Sequence, residues 1–203
     1  MFLAQLLKMN LPFRLILGSE SPRRIEILSQ AGIPFESHPA NIREDYPDNI
    51  DPREVPLYLA NMKNRALDSY VDSNTVVLTA DTVVLLNNQI LGKPNDREDA
   101  FRMLNLLSGQ KHEVITGIVM RSDNRQIEFS ETTEVIFENL SKSDIETYLD
   151  HFQPLDKAGA YGIQDWIGFI GISKISGSYY NVVGLPISRV YRELKQIISE
   201  RAH

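Results

Sequence analysis

The chain has 203 residues, enough for one domain or for two small lobes on a shared core; 42% hydrophobic and 24% charged residues exclude wholesale disorder. It contains no cysteine, which excludes disulfides, thiolate metal sites and a cysteine nucleophile. A formal charge of −6 opposes broad binding to the phosphate backbone of DNA or RNA, while a small anion remains within reach of a few local cations.

Residues 1–12 read as an extension ahead of a single domain over residues 13–203. Phe2, Leu3, Leu6 and Leu7 are apolar, but Lys8, Asn10 and Arg14 break the run far short of the ~20 apolar residues that span a bilayer. The segment also lacks the features of a signal peptide. The expectation is a cytoplasmic protein, without nucleic-acid or membrane partners, whose extension packs on the domain.

Phe13–Leu17 is short and almost wholly apolar, as a strand buried on both faces would be. Ser21 then stands ready to cap a helix opened by Pro22, which runs to Gln30 and is closed by Gly32. Asn41–Pro56 is a polar, proline-interrupted loop, followed by helical spacing over Val55–Tyr70. Two apolar strands, Thr75–Thr79 and Val83–Leu86, flank Asp81-Thr82, and Asn87-Asn88 turns the second into Gln89–Leu91. A helix over Arg97–Leu107 starts at Asn95 or Asp96 and ends at Gly109. Strands His112–Arg121 and Gln126–Glu138 pair across Ser122–Asn124. Ser141 opens a helix over Asp144–His151 by a capping-type start. Short strands follow near Gly168–Lys174, and a last helix runs from Leu185 or Pro186 to Ile198. Alternating strands and helices make this an α/β protein.

Four segments have the residue types for chemistry. In Gly18-Ser-Glu-Ser-Pro-Arg-Arg24 a buried strand delivers a polar turn, a helix N-terminus and two guanidiniums, which suits a phosphate as well as it suits a plain capped helix. Asp81 lies between two apolar runs, where a carboxylate needs a partner or a metal unless it caps a strand end. Gly92-Lys-Pro94 sets a cation one hairpin away, and a carboxylate with a lysine is the minimum kit for metal-assisted attack of water on a phosphoryl group. Lys157–Gln164 has small residues for close backbone approach and a glutamine able to read a base edge, or is a structural turn. Lys63 on its helix and Glu44 in its loop read as solvated charges when taken alone. The histidines show no zinc-ligand spacing.

Taken in order, these segments resemble the Maf family of nucleotide pyrophosphatases. The matching pieces are Ser19–Arg24, Glu44, Leu59-Ala60 with Lys63, Ala80–Val84, Gly92–Pro94, Leu107–Gly109 with His112 and Thr116-Gly117, then Lys157–Gln164, Gly177–Tyr179 and Val182–Pro186. The resemblance implies a Maf-like, ITPase-like fold: a mixed curved sheet flanked by helices, with two lobes around a central cleft, and a homodimer. It implies a nucleoside triphosphate substrate cut to monophosphate and pyrophosphate, with Mg²⁺ or Mn²⁺ as the divalent cofactor. Asp81 would orient the water or the metal and Glu44 would help hold the metal. Lys63, Lys93 and Arg23 with the Ser19–Ser21 turn would neutralise the triphosphate. Arg24, Thr82 and Gln164 match the branch that acts on dTTP and UTP, with modified pyrimidine nucleotides as further substrates. The other branch takes 7-methyl-GTP, and a non-catalytic nucleotide-binding regulator of septum formation is the alternative outside enzymes. Two stretches depart from the pattern: Asp150–Pro154, and Asp165-Trp166, where a glycine usually follows the glutamine. Trp166 there either stacks on a base or packs.

Overall fold

In the computed structural model, which describes residues 8–201, strand β1 (Arg14–Leu17) buries Leu15, Ile16 and Leu17 completely or nearly so. It does so because it has neighbours on both edges, β2 (Glu36–Ser37) and β3 (Thr75–Leu86), both parallel to it. Five further strands complete a mixed sheet in the order β2-β1-β3-β5-β6-β7, with β4 (Gln89–Leu91) on β3. β5 (Lys111–Arg121) and β6 (Gln126–Phe137) form the expected long hairpin, its turn closed by Ser122 N–H to Arg125 O at 2.9 Å. β7 (Ile172–Ser176) pairs with β6.

Strand alternation sends the even residues of β3 to one face and the odd residues to the other. The even face carries two hydrophobic cores. One gathers Val76, Leu78 and Ala80 with Ile27 and Leu28 of α1 (Pro22–Gln30) and Val190 and Leu194 of α7 (Ile187–Arg201). The other gathers Val84 and Leu86 with α3 (Arg97–Leu107) and α4 (Lys142–Phe152). The cores part at Thr82 and Thr116, whose hydroxyls meet at 2.9 Å, and this division is the expected cleft between two lobes. The odd face carries α2 (Val55–Arg65), where Val55 and Leu59 pack on Val83, Leu85 and Ile115.

Helix α2 lies so close because residue 117 is glycine: a Cβ there would fall 2.3 Å from the Leu57 nitrogen. Asn64 fastens the far end, donating to Val77 O at 3.0 Å, while Thr79 Oγ1 donates to Ala60 O at 2.8 Å.

Several expected boundaries move. Thr75–Leu86 is one unbroken twelve-residue strand, not two strands around Asp81-Thr82, because β5 pairs with it from Val77 to Leu85. Helix α2 ends at Arg65, and Asp68–Tyr70 is a separate 3₁₀ turn. Gly168 to Gly171 are helical, the end of α5 (Trp166–Gly171), so the strand expected there starts only at Ile172. Helix α6 (Tyr179–Val183), opened by Ser178 accepting from Asn181 N–H, and the two-residue β2 were not expected. The capping box of Ser141 and Asp144 is present, and Asp96 caps α3. The extension over residues 1–12 lies partly outside the described residues. Its Met9 is buried and donates its N–H to Gly32 O at 2.8 Å.

His112 on β5 is sealed between Phe137 and Tyr161, its Nε2 2.7 Å from Tyr161 Oη. Burial pushes its pKa down from 6.5 to about 4. The native state therefore holds a neutral imidazole, and that contribution to stability is present above pH 6.5 and lost as pH falls towards 4. The linkage amounts to roughly 3 kcal/mol. Urea unfolding between pH 7 and pH 4 should show the wild-type protein losing about that much more stability than His112→Phe; equal losses would show that His112 does not carry this linkage.

Candidate active site

On one edge, β3 is paired by β5 without a break from Val77 to Leu85. On the other edge β1 pairs as far as Leu78 and β4 begins at Val84, so residues 79–83 have no strand neighbour there. The chain leaves β1 into the Gly18–Ser21 turn and leaves β4 into Gly92-Lys93, and both turns open on this notch. A cavity of about 640 Å³ fills it, within the range of small-molecule sites. All ten residues singled out in the sequence line it: Ser19, Ser21, Arg23, Arg24, Glu44, Lys63, Asp81, Thr82, Lys93 and Gln164.

Asp81 and Thr82, adjacent in β3, point to opposite faces of the sheet. On the odd face Lys63 Nζ stands 2.5 Å from Asp81 Oδ1 and 2.6 Å from Glu44 Oε1. Lys63 is not a solvated helix residue; α2, held down at Gly117 and Asn64, buries it with only 9% of its surface exposed. Burial is the largest influence on Asp81 and raises its pKa, against the pull of Lys63 and Arg24. For Glu44, half-exposed at its loop, partial burial is outweighed by Lys63, Lys93 and Arg24, and its pKa falls. The two carboxylates thus converge on one cationic point. Two converging oxygen ligands without nitrogen or sulfur are the protein share of a hard divalent cation that completes its shell with phosphate oxygens and water, so the pair fits Mg²⁺ or Mn²⁺. No group of three such ligands occurs among the described residues.

On the even face Arg24 is fully engaged. Its Nε donates to Gly184 O at 2.9 Å, and its two terminal nitrogens donate to Ser19 Oγ and Thr82 Oγ1, each at 3.2 Å. It ties the turn after β1 to Thr82 and to the start of the α6–α7 connection. Ser21 occupies the N-cap position of α1, but its side chain makes no capping bond. The first amides of that helix, beside Arg23, therefore face the cavity uncapped, which is the arrangement that receives an anion. Arg23 forms an ion pair with Asp156, and Lys157 Nζ donates to the same carboxylate at 2.9 Å. Lys93 reaches the cavity without an ion-pair partner among the described residues.

At the far end lie Tyr161, Gly162 and Gln164. The Oε1 atom of Gln164 is buried and has no hydrogen-bond partner among the described residues, an arrangement that costs free energy until a donor arrives. Trp166 packs against the second core and does not line the cavity, which decides for packing rather than base stacking. Asp156, Thr116 and Gly184 belong to the site although nothing in the sequence singled them out alone. Lys157 had been noticed only as the head of a glycine-rich run, without a charge role.

A family model described as Maf-like protein matches residues 14–197. A dTTP/UTP pyrophosphatase of Porphyromonas gingivalis is 49% identical over 186 residues, which cover 90% of this chain and 94% of that one. Proteins of the same name from Phocaeicola vulgatus and Flavobacterium psychrophilum are 47% and 46% identical, covering 91% and 88% of this chain and 96% and 91% of theirs. The solved Staphylococcus aureus Ham1 protein shares 13% identity at a TM-score of 0.40, covering 61% of this chain and 71% of that one, too loose a likeness to bear on the site.

Replacing Lys63 by Met would leave the Asp81 carboxylate buried without its partner. In urea unfolding at pH 7 the variant should lose about 3–5 kcal/mol of stability, and adding Asp81→Asn should restore most of it. A Lys63→Met protein as stable as the wild type would mean that the buried pair does not form.

Proposed function

Since the chain belongs to the Maf family, we propose that it hydrolyses dTTP and UTP to the nucleoside monophosphate and pyrophosphate. The observation that carries this reading is the position of Asp81. It sits on the wall of one cavity between a cation-rich helix N-terminus and an unpartnered glutamine amide. A triphosphate has an anionic tail for the first and a base edge for the second.

The chemistry follows from the residues. Water adds to the α-phosphorus, the bond to the bridging oxygen of the β-phosphate breaks, and pyrophosphate leaves. Asp81 takes the proton of the attacking water; its raised pKa makes it a better base near neutral pH than an exposed carboxylate. Lys63 keeps that carboxylate in one orientation, since Nζ holds one oxygen at 2.5 Å and leaves the other free. Lys93, Arg23 and the uncapped amides of α1 neutralise the charge that builds on the leaving group, the main demand phosphoryl transfer makes of a protein. When bound, a divalent cation such as Mg²⁺ or Mn²⁺ would be held by Glu44 and Asp81 and would supply charge neutralisation and alignment of the phosphates.

Gln164 supports the pyrimidine preference. Thymine and uracil carry an N–H at N3 beside carbonyl oxygens, so the buried Oε1 acceptor finds a donor while Nε2 donates to a carbonyl. Cytosine has no proton at N3 and leaves Oε1 unsatisfied. The names of the relatives agree with this choice over 7-methyl-GTP. Cytoplasmic location, pairing of two copies, and the absence of nucleic-acid and membrane partners belong to the same proposal; no described helix is long and apolar enough to cross a membrane.

Pyrophosphate release measured with dTTP, UTP, CTP, GTP and 7-methyl-GTP tests the reading. It should be fastest with dTTP and UTP, stop on chelation of the divalent metal, and fall about 10²–10⁴-fold in kcat for Asp81→Asn. No release from any triphosphate, or full activity of Asp81→Asn, would end the proposal. Glu44→Gln should raise the Mg²⁺ concentration for half-maximal rate by about tenfold, the weight of one charged contact; an unchanged requirement would remove Glu44 from the metal site.

A further inference from the structure

Gln164 stands in a four-residue turn, Gly162 to Asp165, closed by Asp165 N–H to Gly162 O at 3.0 Å. With Oε1 unpartnered, the side chain is aimed by the backbone of this turn and not by a bond of its own. One hydroxyl spans the turn. Tyr148 of α4, wholly buried, donates from Oη to Asp165 Oδ2 at 2.7 Å and accepts the Gly162 N–H at 3.1 Å.

Two details show that the carboxylate is committed to this task. Asp165 occupies the N-cap position of α5, where an aspartate usually accepts from the helix amides, yet its side chain makes no capping bond. A Cβ on Gly162 would fall 2.4 Å from Asp165 Oδ2, so the carboxylate is folded back over the first residue of the turn. Lys157 Nζ, 3.8 Å from that oxygen, adds a cation on its outer side. Asp165 is also where this sequence departs from the glycine usual after the glutamine.

We infer that Tyr148 and Asp165 are positioning residues that set the selectivity for thymine and uracil by clamping the Gly162–Asp165 turn under Gln164. The inference rests on the reading of Gln164 as the base-reading group. The clamp touches no part of the substrate, so its loss acts through the direction of one amide.

The test is the ratio of kcat/KM for dTTP to that for CTP in Tyr148→Phe, Asp165→Ala and Asp165→Asn, with kcat and KM separated and melting temperature recorded. Tyr148→Phe and Asp165→Ala should lower the ratio by about tenfold, the weight of one hydrogen bond, chiefly through KM for dTTP. Asp165→Asn, which still offers Tyr148 an acceptor, should stay within about threefold of the wild type. If Tyr148→Phe does not fold, the Asp165 pair decides. A ratio unchanged in Asp165→Ala, or both substrates slowed in parallel, would make the clamp merely structural and overturn the inference. A wild-type enzyme without preference, or a preference that survives Gln164→Ala, would instead strike at the reading of Gln164.

Discussion

Strand β3 is paired along its whole working length on one edge and interrupted on the other, between Leu78 and Val84. That constraint organises the molecule. Pairing with β5 makes the backbone around Asp81 rigid, because its partner in register, Gly117, lies in the middle of an eleven-residue strand. The interruption opposite leaves space beside a rigid wall. The two strands that stop short, β1 and β4, necessarily deliver their following turns into it, and those turns contain Ser19, Arg23, Arg24 and Lys93. Ligand sites at such breaks in strand order are a general consequence of sheet topology.

Alternation along β3 then divides the work between faces. Asp81 meets Lys63 and Glu44 on one, Thr82 meets Arg24 and Thr116 on the other. A carboxylate this buried would ordinarily be too costly to ionise, and a lysine this buried too costly to protonate. Each is tolerated because the other is present, and their joint position depends on a glycine two strands' width from any ligand. Gly117 admits the first turn of α2 to the sheet, and Lys63 lies two turns further along the same helix. The site is thus built from backbone contacts inward, with the charged side chains placed last.

Much of this was legible in the residues. The buried strand Leu15–Leu17, the helix opened by Pro22, the hairpin of β5 and β6, and the Ser141 capping box follow from local spacing and turn chemistry, which act over a few residues. Residue type also marked Asp81 and Lys93 correctly as a carboxylate and a cation near one another. What stayed hidden was set by contacts distant in sequence. An aspartate in an apolar run looks like a strand end unless Lys63, eighteen positions earlier, is seen to satisfy it. Lys63 itself looks like an exposed helix lysine until Gly117 brings its helix down. Asp156 acquires a role only through Arg23, 133 positions away, and Arg24 meets Gly184 across 160. The α5 helix was misjudged because its glycines at 168 and 171 and the β-branched Ile167 and Ile170 favour extended backbone locally, while packing of Ile167 in the second core decides for a helix.

The central claim is that Asp81 directs water onto the α-phosphorus of a triphosphate held at both ends. Single-turnover hydrolysis of dTTP in ¹⁸O-enriched water, with both products analysed by mass spectrometry, tests it most directly. The account predicts one ¹⁸O atom in dTMP, none in pyrophosphate, and loss of this labelled product in Asp81→Asn. Label in the pyrophosphate, or labelled dTMP formed at the wild-type rate by Asp81→Asn, would contradict it.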